Sequence, residues 1–330
     1  MKNLKANNIT LLRDVYITLM PDEEVGGRAG MRLFCKSPEF KAMNVGFEID
    51  EGMPSPLPMI GAFYQDKAVW QIRVDCHGIA GHGSTLPPTN VTATGNSTLN
   101  TTSIFSVTLG ESTLFSVIEE IKAKMQSIGC NKVINNLFKF RDEQQKIAVN
   151  GPITDASIYT SLNLDVLSGG TANNVLPNLV SLTFDIRLNT KLDEAEFQRK
   201  LEKMINKAGE GIDITYIIKD NQSPATLTNA SNPYWNAITR GAEQIGVPII
   251  PSVASASGDA RAVRAAGIPA LGMSPMPNTP TFLHAVNENL NVETFLFGIS
   301  FYEKIVTELA NIPADDTSDP SSYLVNTSVQ

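Results

Sequence analysis

Val15–Met20 (VYITLM) alternates β-branched and apolar residues and runs into Pro21-Asp22-Glu23-Glu24-Val25-Gly26-Gly27. A buried strand that ends in carboxylates and a glycine turn reads as the ligand-facing edge of an open α/β sheet. Residues 28–36 then read as a helix, and Val45–Ile49 (VGFEI) as a second buried strand ending the same way, at Asp50-Glu51-Gly52. Two short strands that each deliver acidic side chains to one edge set the fold class as α/β and place the candidate site at the strand ends.

Beyond the Pro-rich stretch Met53–Met59 the texture changes. Val69–Cys76 (VWQIRVDC) alternates with period two, as a strand with one solvated face does. A Gly81-His82-Gly83-Ser84 turn follows, then Thr85–Ser116, rich in Ser, Thr and Asn and without periodicity, which reads as a flexible insertion. Glu119–Lys146 has helical spacing broken near Gly129. Strands at Ser157–Val166 and Leu179–Leu188, a helix at Asp193–Ala208 and a strand at Ile212–Lys219 complete a β-α-β-β-α-β order, which predicts a four-stranded sheet with two helices on one face. From Asn232 the α/β texture returns, with a helix at Pro233–Gln244, a strand at Pro248–Val253 and a Gly-Asp-Ala-Arg turn into a helix. Ile268–Met273, Thr281–Glu288 and a closing helix at Asn291–Leu309 follow; the polar tail from Pro313 reads as disordered. The expected division is a discontinuous domain, 1–66 with 222–330, split by an inserted α+β domain, 67–221, that carries a flexible insertion at 85–116.

The chain has 330 residues with 26 Lys+Arg against 34 Asp+Glu, a net charge of −8. No basic stripe is present, which argues against a nucleic-acid partner, and no apolar run is long enough to span a bilayer. The opening residues are too polar and interrupted for a signal peptide. Three cysteines without a CxxC spacing predict neither a disulfide framework nor a cysteine zinc knot, and a reducing, cytoplasmic address.

Only three histidines occur. Zinc takes imidazole nitrogen and carboxylate oxygen, so His284 brought close to Glu23, Glu24 and Asp50 would make a metal site. Taken singly, each has a plainer reading: His284 as a packed histidine, Asp-Glu-Glu before Gly-Gly as a solvated turn. Adjacent Glu23 and Glu24 can divide labour, one binding metal while the other acts as general base.

Six ordered motifs are more specific than any one of them: Pro21–Gly27, Ile49-Asp-Glu-Gly52, Gly81-His-Gly-Ser84, Gly169-Gly-Thr-Ala-Asn-Asn-Val-Leu-Pro177, Phe184-Asp-Ile-Arg187 and Phe282-Leu-His284. Together they closely resemble the dinuclear-zinc aminoacylase/carboxypeptidase/dipeptidase family, from about Val15 to about Pro313 apart from the Ser/Thr-rich insertion. Ser231-Asn-Pro-Tyr-Trp235, Gly267–Pro275 and Asn278-Thr-Pro280 extend the match. The resemblance implies an open-sheet zinc-peptidase-like catalytic domain interrupted by a ferredoxin-like dimerisation domain. It implies a homodimer, two Zn2+ per complete site, and hydrolysis of N-acyl-L-amino acids to an L-amino acid and a carboxylate. By motif, Glu23 matches the general base, Glu24 and His284 the ligands of one zinc, and Asp50 a ligand of the other. His82 matches the histidine that a dimer partner lends to the opposite site. Asn174 and Arg187 match substrate-contacting residues, with Arg261 of Ser257-Gly-Asp-Ala-Arg261 as a further candidate whose plainer reading is a surface helix residue; His77 reads as structural.

Two departures qualify these expectations. The family's His-x-Asp and its metal-bridging Asp precede the Asp-Glu-Glu segment, and nothing upstream of Pro21 here supplies them, so the catalytic domain is expected to be N-terminally incomplete and zinc binding weak. The second is the insertion after Ser84, beside His82. A truncated or alternative gene model is the expected explanation of both. The alternatives are a sister dipeptidase, carboxypeptidase or deacetylase, or an inactive chain that dimerises with a full-length partner.

Overall fold

The computed structural model describes residues 2–78, 80–82, 107–108, 129–150, 158–314 and 319–326. Helices α1 (Lys2–Ala6), α2 (Met31–Phe34) and α3 (Pro38–Ala42) precede strands β1 (Glu48–Asp50) and β2 (Ile60–Asp66). Next come β3 (Ala68–His77), β4 (Gly81–His82), β5 (Val107–Thr108), α4 (Gly129–Asn150), β6 (Ser161–Gly169), β7 (Val175–Leu176) and β8 (Leu179–Leu188). They are followed by α5 (Glu194–Asn206), β9 (Ile212–Lys219), β10 (Ala225–Thr226), α6 (Pro233–Glu243), β11 (Ile249–Ala254), α7 (Ala260–Ala265), β12 (Ala270–Gly272), α8 (Val292–Ala310) and β13 (Leu324–Val325).

The period-two segments form an antiparallel sheet in the order β5-β6-β8-β3-β9. On β8, Val180, Leu182, Phe184, Ile186 and Leu188 are buried while Ser181, Thr183, Asp185 and Arg187 between them are half-buried, as the alternation of a one-sided strand requires. Helices α4 and α5 cover that apolar face with Val133, Ile134, Leu137, Phe197, Leu201 and Ile205. Asp193 caps α5 by accepting the Glu196 N–H at 2.8 Å. The expected two-helix, four-stranded core is present. A fifth, edge strand, Val107–Thr108, comes from within the segment read as a flexible insertion, and the rest of that segment lies outside the described residues.

The cysteine expectation is overturned. Cys76 at the end of β3 and Cys130 at the start of α4 are disulfide-bonded, with Cα atoms 6.0 Å apart, and both are buried. Their separation of 54 residues carries no motif; the strand and helix register brings them within bridging distance. Cys35 is free and buried.

The second sheet is smaller, in the order β1-β12-β2-β11. β1 runs parallel to β12 and β2 parallel to β11, while β12 meets β2 antiparallel at the single pair Gly272↔Phe63. Trp235 and Ile238 of α6 and Phe301 and Ile305 of α8 pack with Ile60, Ala62 and Leu271. A further cluster joins Met31, Phe40, Ala260, Val263 and Ala270, seating α2, α3 and α7.

Several expectations change here. Val15–Met20 forms no strand and has no ladder partner among the described residues; Ile17 and Leu19 stand 76% and 87% exposed. A strand exists only where a neighbour takes its backbone groups, however well its side chains alternate. The helix expected at 28–36 contracts to Met31–Phe34, and the second strand moves to Glu48–Asp50. Part of the tail is ordered: Leu324–Val325 pairs with Ala225–Thr226, and the Tyr323 ring packs edge-on against Tyr234. No helix among the described residues is long and apolar enough to cross a membrane.

Candidate active site

The Pro21–Gly27 segment folds as one 3-10 turn, Glu23–Val25, between left-handed residues: Asp22 at φ 59°, Gly26 at 99° and Gly27 at 61°. Asp22 closes the loop from both ends, its carboxylate accepting the Ala29 N–H at 2.8 Å and its carbonyl the Gly27 N–H at 2.8 Å. Glycine is required at Gly27, where φ is positive and a Cβ would lie 2.9 Å from Asp259 Oδ1. The result is a tight platform that displays Glu23 and Glu24.

Asp50 ends β1 and accepts the Ala260 N–H at 2.6 Å, at the start of α7. A Cβ at Gly258 would sit 2.8 Å from the same carboxylate oxygen, so the Ser257–Arg261 turn closes over Asp50 only because glycine stands there. Two distant acidic segments therefore meet through the α7 turn.

The electrostatics follow from this crowding. Burial, then the charges of Glu51, Asp259, Glu24 and Asp50, push the Glu23 carboxyl up to about 7. Burial raises Asp50 to about 6 against the lowering effect of the Ala260 and Glu51 amides. Glu48 is raised to about 8, by burial and then by Asp50, and its Oε2 has no hydrogen-bond partner. Asp259 is raised by burial and by Glu51 and Asp22. Several carboxylates so placed resist ionising together, and a divalent cation favours the ionised forms that the cluster alone disfavours. Glu48 and Asp259 were not singled out in the sequence. Glu48 was findable, because it stands two residues before Asp50 and so shares its strand face; Asp259 lay in the quoted Gly-Asp-Ala-Arg turn, where only the arginine was considered.

His284 Nε2 lies 3.5 Å from Glu24 Oε2, both side chains largely exposed. Its backbone is left-handed, at φ 56°, an uncommon conformation for histidine that aims the ring from the Phe282–His284 turn. Imidazole nitrogen beside carboxylate oxygen fits zinc in kind. In number it is short: among the described residues no group of three or more His, Cys, Asp or Glu side chains gathers closely enough to hold a metal ion.

The other candidates lie on the five-stranded half or at its junction. His82 is exposed on β4, which pairs with β7 in the register His82↔Val175, so the Gly-His motif and Asn174 share one small ribbon. Arg187 is leashed to Asp185 on its own strand, Nε to Oδ2 at 2.7 Å. The surface reading of Arg261 is overturned: it is 8% exposed, with Nη2 2.7 Å from Asp220 Oδ2. The exposed His77 ring pairs with Asp213 at 2.9 Å, on the strand edge.

A small α/β sheet with Asp50 at one strand end and Glu23, Glu24 and His284 on turns nearby, joined to a ferredoxin-like α+β unit, is consistent with a peptidase-type hydrolase. The chain matches peptidase family M20/M25/M40 over residues 1–308, and it belongs to that family. It is 34% identical to aminoacylase-1A of Rattus norvegicus over 314 residues, covering 95% of this chain and 68% of that protein. Human aminoacylase-1 is 33% identical over the same share of each. The chain thus spans about two thirds of the length of these relatives. Among solved structures, a Staphylococcus aureus tripeptidase superposes with TM-score 0.59 at 14% identity, covering 94% of this chain and 67% of that one. Human carnosine dipeptidase 1 gives 0.58 at 15%, covering 94% and 69%; at such identities these two speak for the fold alone.

Proposed function

We propose that this protein hydrolyses N-acyl-L-amino acids to an L-amino acid and a carboxylate, as a metal-dependent amidohydrolase. The observation that carries the reading is the tight Glu23–Val25 turn, which presents Glu23 next to the Glu24–His284 pair. A general base there stands within one residue of an imidazole–carboxylate pair of the kind zinc takes. In the proposed reaction Glu23 takes the proton of the attacking water and returns it to the leaving amine. Arg187 and Asn174 hold the substrate, and His82, supplied across a homodimer by the inserted domain, donates to the developing oxyanion; Arg261, buried and paired with Asp220, is taken up by that pair and not by substrate. Glu24 and His284 would hold one zinc ion and Asp50 the other; zinc there supplies positive charge against which the negative charge of the transition state is stabilised. The domain division supporting this is 1–66 with 222–330 against 67–221: β2 and β3, on different sheets, are separated only by Lys67.

Turnover of N-acetyl-methionine, compared with that of a dipeptide, tests the substrate class. Glu23→Gln is expected to lower turnover by about 10²–10⁴-fold, the usual contribution of a general base. Undiminished turnover in that variant would remove Glu23 from the role. The small number of donors gathered among the described residues favours a second reading, an inactive chain that lends His82 to an active partner. Zinc titration separates the two: uptake of two ions per chain supports the enzyme, and no uptake supports the lending partner. The cytoplasmic address is retained as a proposal, although the bridged cysteines remove one of its supports.

A further inference from the structure

Asp220 lies just beyond β9 and is 9% exposed. Its backbone is fixed to the five-stranded sheet at both ends: its N–H donates to Val69 O at 3.0 Å, and its carbonyl accepts the Trp70 Nε1–H at 3.0 Å. Its side chain faces the other half of the molecule. Arg32 of α2 grips it with two bonds, Nη1 to Oδ1 at 2.5 Å and Nη2 to Oδ2 at 2.7 Å, and Arg261 of α7 adds Nη2 to Oδ2 at 2.7 Å.

Each arginine leads directly to the candidate site. The Arg32 N–H donates to Gly27 O at 3.2 Å, and Gly27 closes the turn that carries Glu23 and Glu24; Arg28, from the same segment, donates to Ile217 O of β9 at 2.8 Å. Arg261 follows Ala260, whose N–H holds Asp50. On the sheet side, Val69, which binds the Asp220 N–H, is the register partner of Arg187. One carboxylate therefore sets the level of the Glu23–Glu24 turn and of Asp50 against the strand position that bears Arg187.

A cluster of two cations and one anion in which Arg261 and Asp220 are buried and Arg32 is half-buried is a poor device for stability alone, because desolvation offsets much of its attraction. Arg261 Nη1 is buried without a hydrogen-bond partner, so the arrangement is not tuned for satisfied bonds. Fixed two-point geometry is what a bidentate arginine–carboxylate pair provides.

We propose that Asp220 is a positioning residue: it clamps the base-bearing turn and the Asp50-capping turn to the five-stranded sheet, and so sets the distance between Glu23 and the substrate held at Arg187. The proposal deepens the hydrolase reading and rests on it for its catalytic consequence.

The test uses the full chain with Asp220→Asn and Asp220→Glu, read by amide hydrogen exchange and by kcat and KM on N-acetyl-methionine. In Asp220→Asn, exchange is expected to quicken by about tenfold or more at residues 27–34 and 260–265 while the amides of β8 hold their rates. The kcat is expected to fall by about 10²-fold, the scale set by a misplacement near 1 Å, with KM changed by less than about threefold because Arg187 is untouched. Asp220→Glu, which keeps both arginines paired, recovers most of the loss. Arg32→Gln, which leaves Asp220 paired with Arg261, quickens exchange at 27–34 alone, so the clamp is testable even where Asp220→Asn does not fold. Unchanged exchange at both segments overturns the clamp, whatever the turnover. Uniformly faster exchange across both sheets, β8 included, shows a purely structural ion pair and also overturns it. A wild-type chain without turnover sinks the hydrolase reading and the catalytic consequence, while the exchange pattern still decides whether the clamp exists.

Discussion

The two sheets of this protein are held together in different ways. β3 and β8 are ten residues each and pair along their whole length, and their alternate side chains fill one apolar face under two helices. β1 and β12 are three residues each, and β12 touches β2 at one register pair. The long sheet pairs continuously over one apolar core. The short one has its own core on β2 and β11, but at the β1 edge it relies on glycine approaches, turns and ion pairs. Precision at the site is thus borrowed from the neighbouring half, which is why Asp220 and its two arginines stand at the junction.

That contrast can be broken most directly in the cores. Phe184→Ala, at a fully buried position of β8, should cost about 3–5 kcal/mol of unfolding free energy. Leu271→Ala, equally buried on β12, should cost less, about 2–3 kcal/mol, because a three-residue strand can shift to fill the space. Urea unfolding of both variants checks this, and the reverse order would remove the distinction between a rigid and a yielding sheet.

The disulfide offers a smaller perturbation confined to the five-stranded half. Reducing Cys76–Cys130 frees a loop spanning 54 residues and should lower stability by about 2–4 kcal/mol through the entropy of the unfolded chain. Thermal unfolding with and without reductant reads the effect, and a Cys76→Ser/Cys130→Ser double variant should lose the response to reductant. A response that persists in the double variant would place the sensitivity elsewhere.

A further effect belongs to the other half and depends on pH. Glu48, Glu23 and Asp50 hold their protons more tightly folded than unfolded, with folded values of about 8, 7 and 6. The folded state then binds the extra protons, so this contribution is complete below about pH 4 and is lost progressively as pH rises from there to about 8, where the last of the three, Glu48, has ionised. The melting temperature of the metal-free protein should therefore decline over that window. Glu48→Gln, which leaves a neutral group in place, should flatten the upper part of the decline, whereas a slope unchanged by that variant would show that Glu48 is not the titrating group.

Much of the five-stranded half was legible because its signals are local. Val69–Cys76, Leu179–Leu188 and Ile212–Lys219 alternate within a few residues, and Asp193 marks its helix start by side-chain chemistry alone. The site half was legible in its motifs and less so in its elements. Val15–Met20 alternates as well as any strand in the chain, yet without a neighbour it forms none. Glu48 lies inside a strand that reads as buried, and the neighbours that raise its carboxyl are set only by the packed chain.

The amino-acid order by itself determined the α/β class, the four long strands and two helices of the five-stranded unit, and the residue types proposed for the site: Glu23, Glu24, Asp50 and His284. Tertiary structure alone decided that Arg261 turns inward to Asp220 and that Cys76 finds Cys130. The reason is one of range. Alternation, capping and glycine turns act between residues a few positions apart, whereas a proton affinity, an ion pair or a sulfur bridge is set by whichever groups the packed chain brings within a few ångströms, at any distance along it.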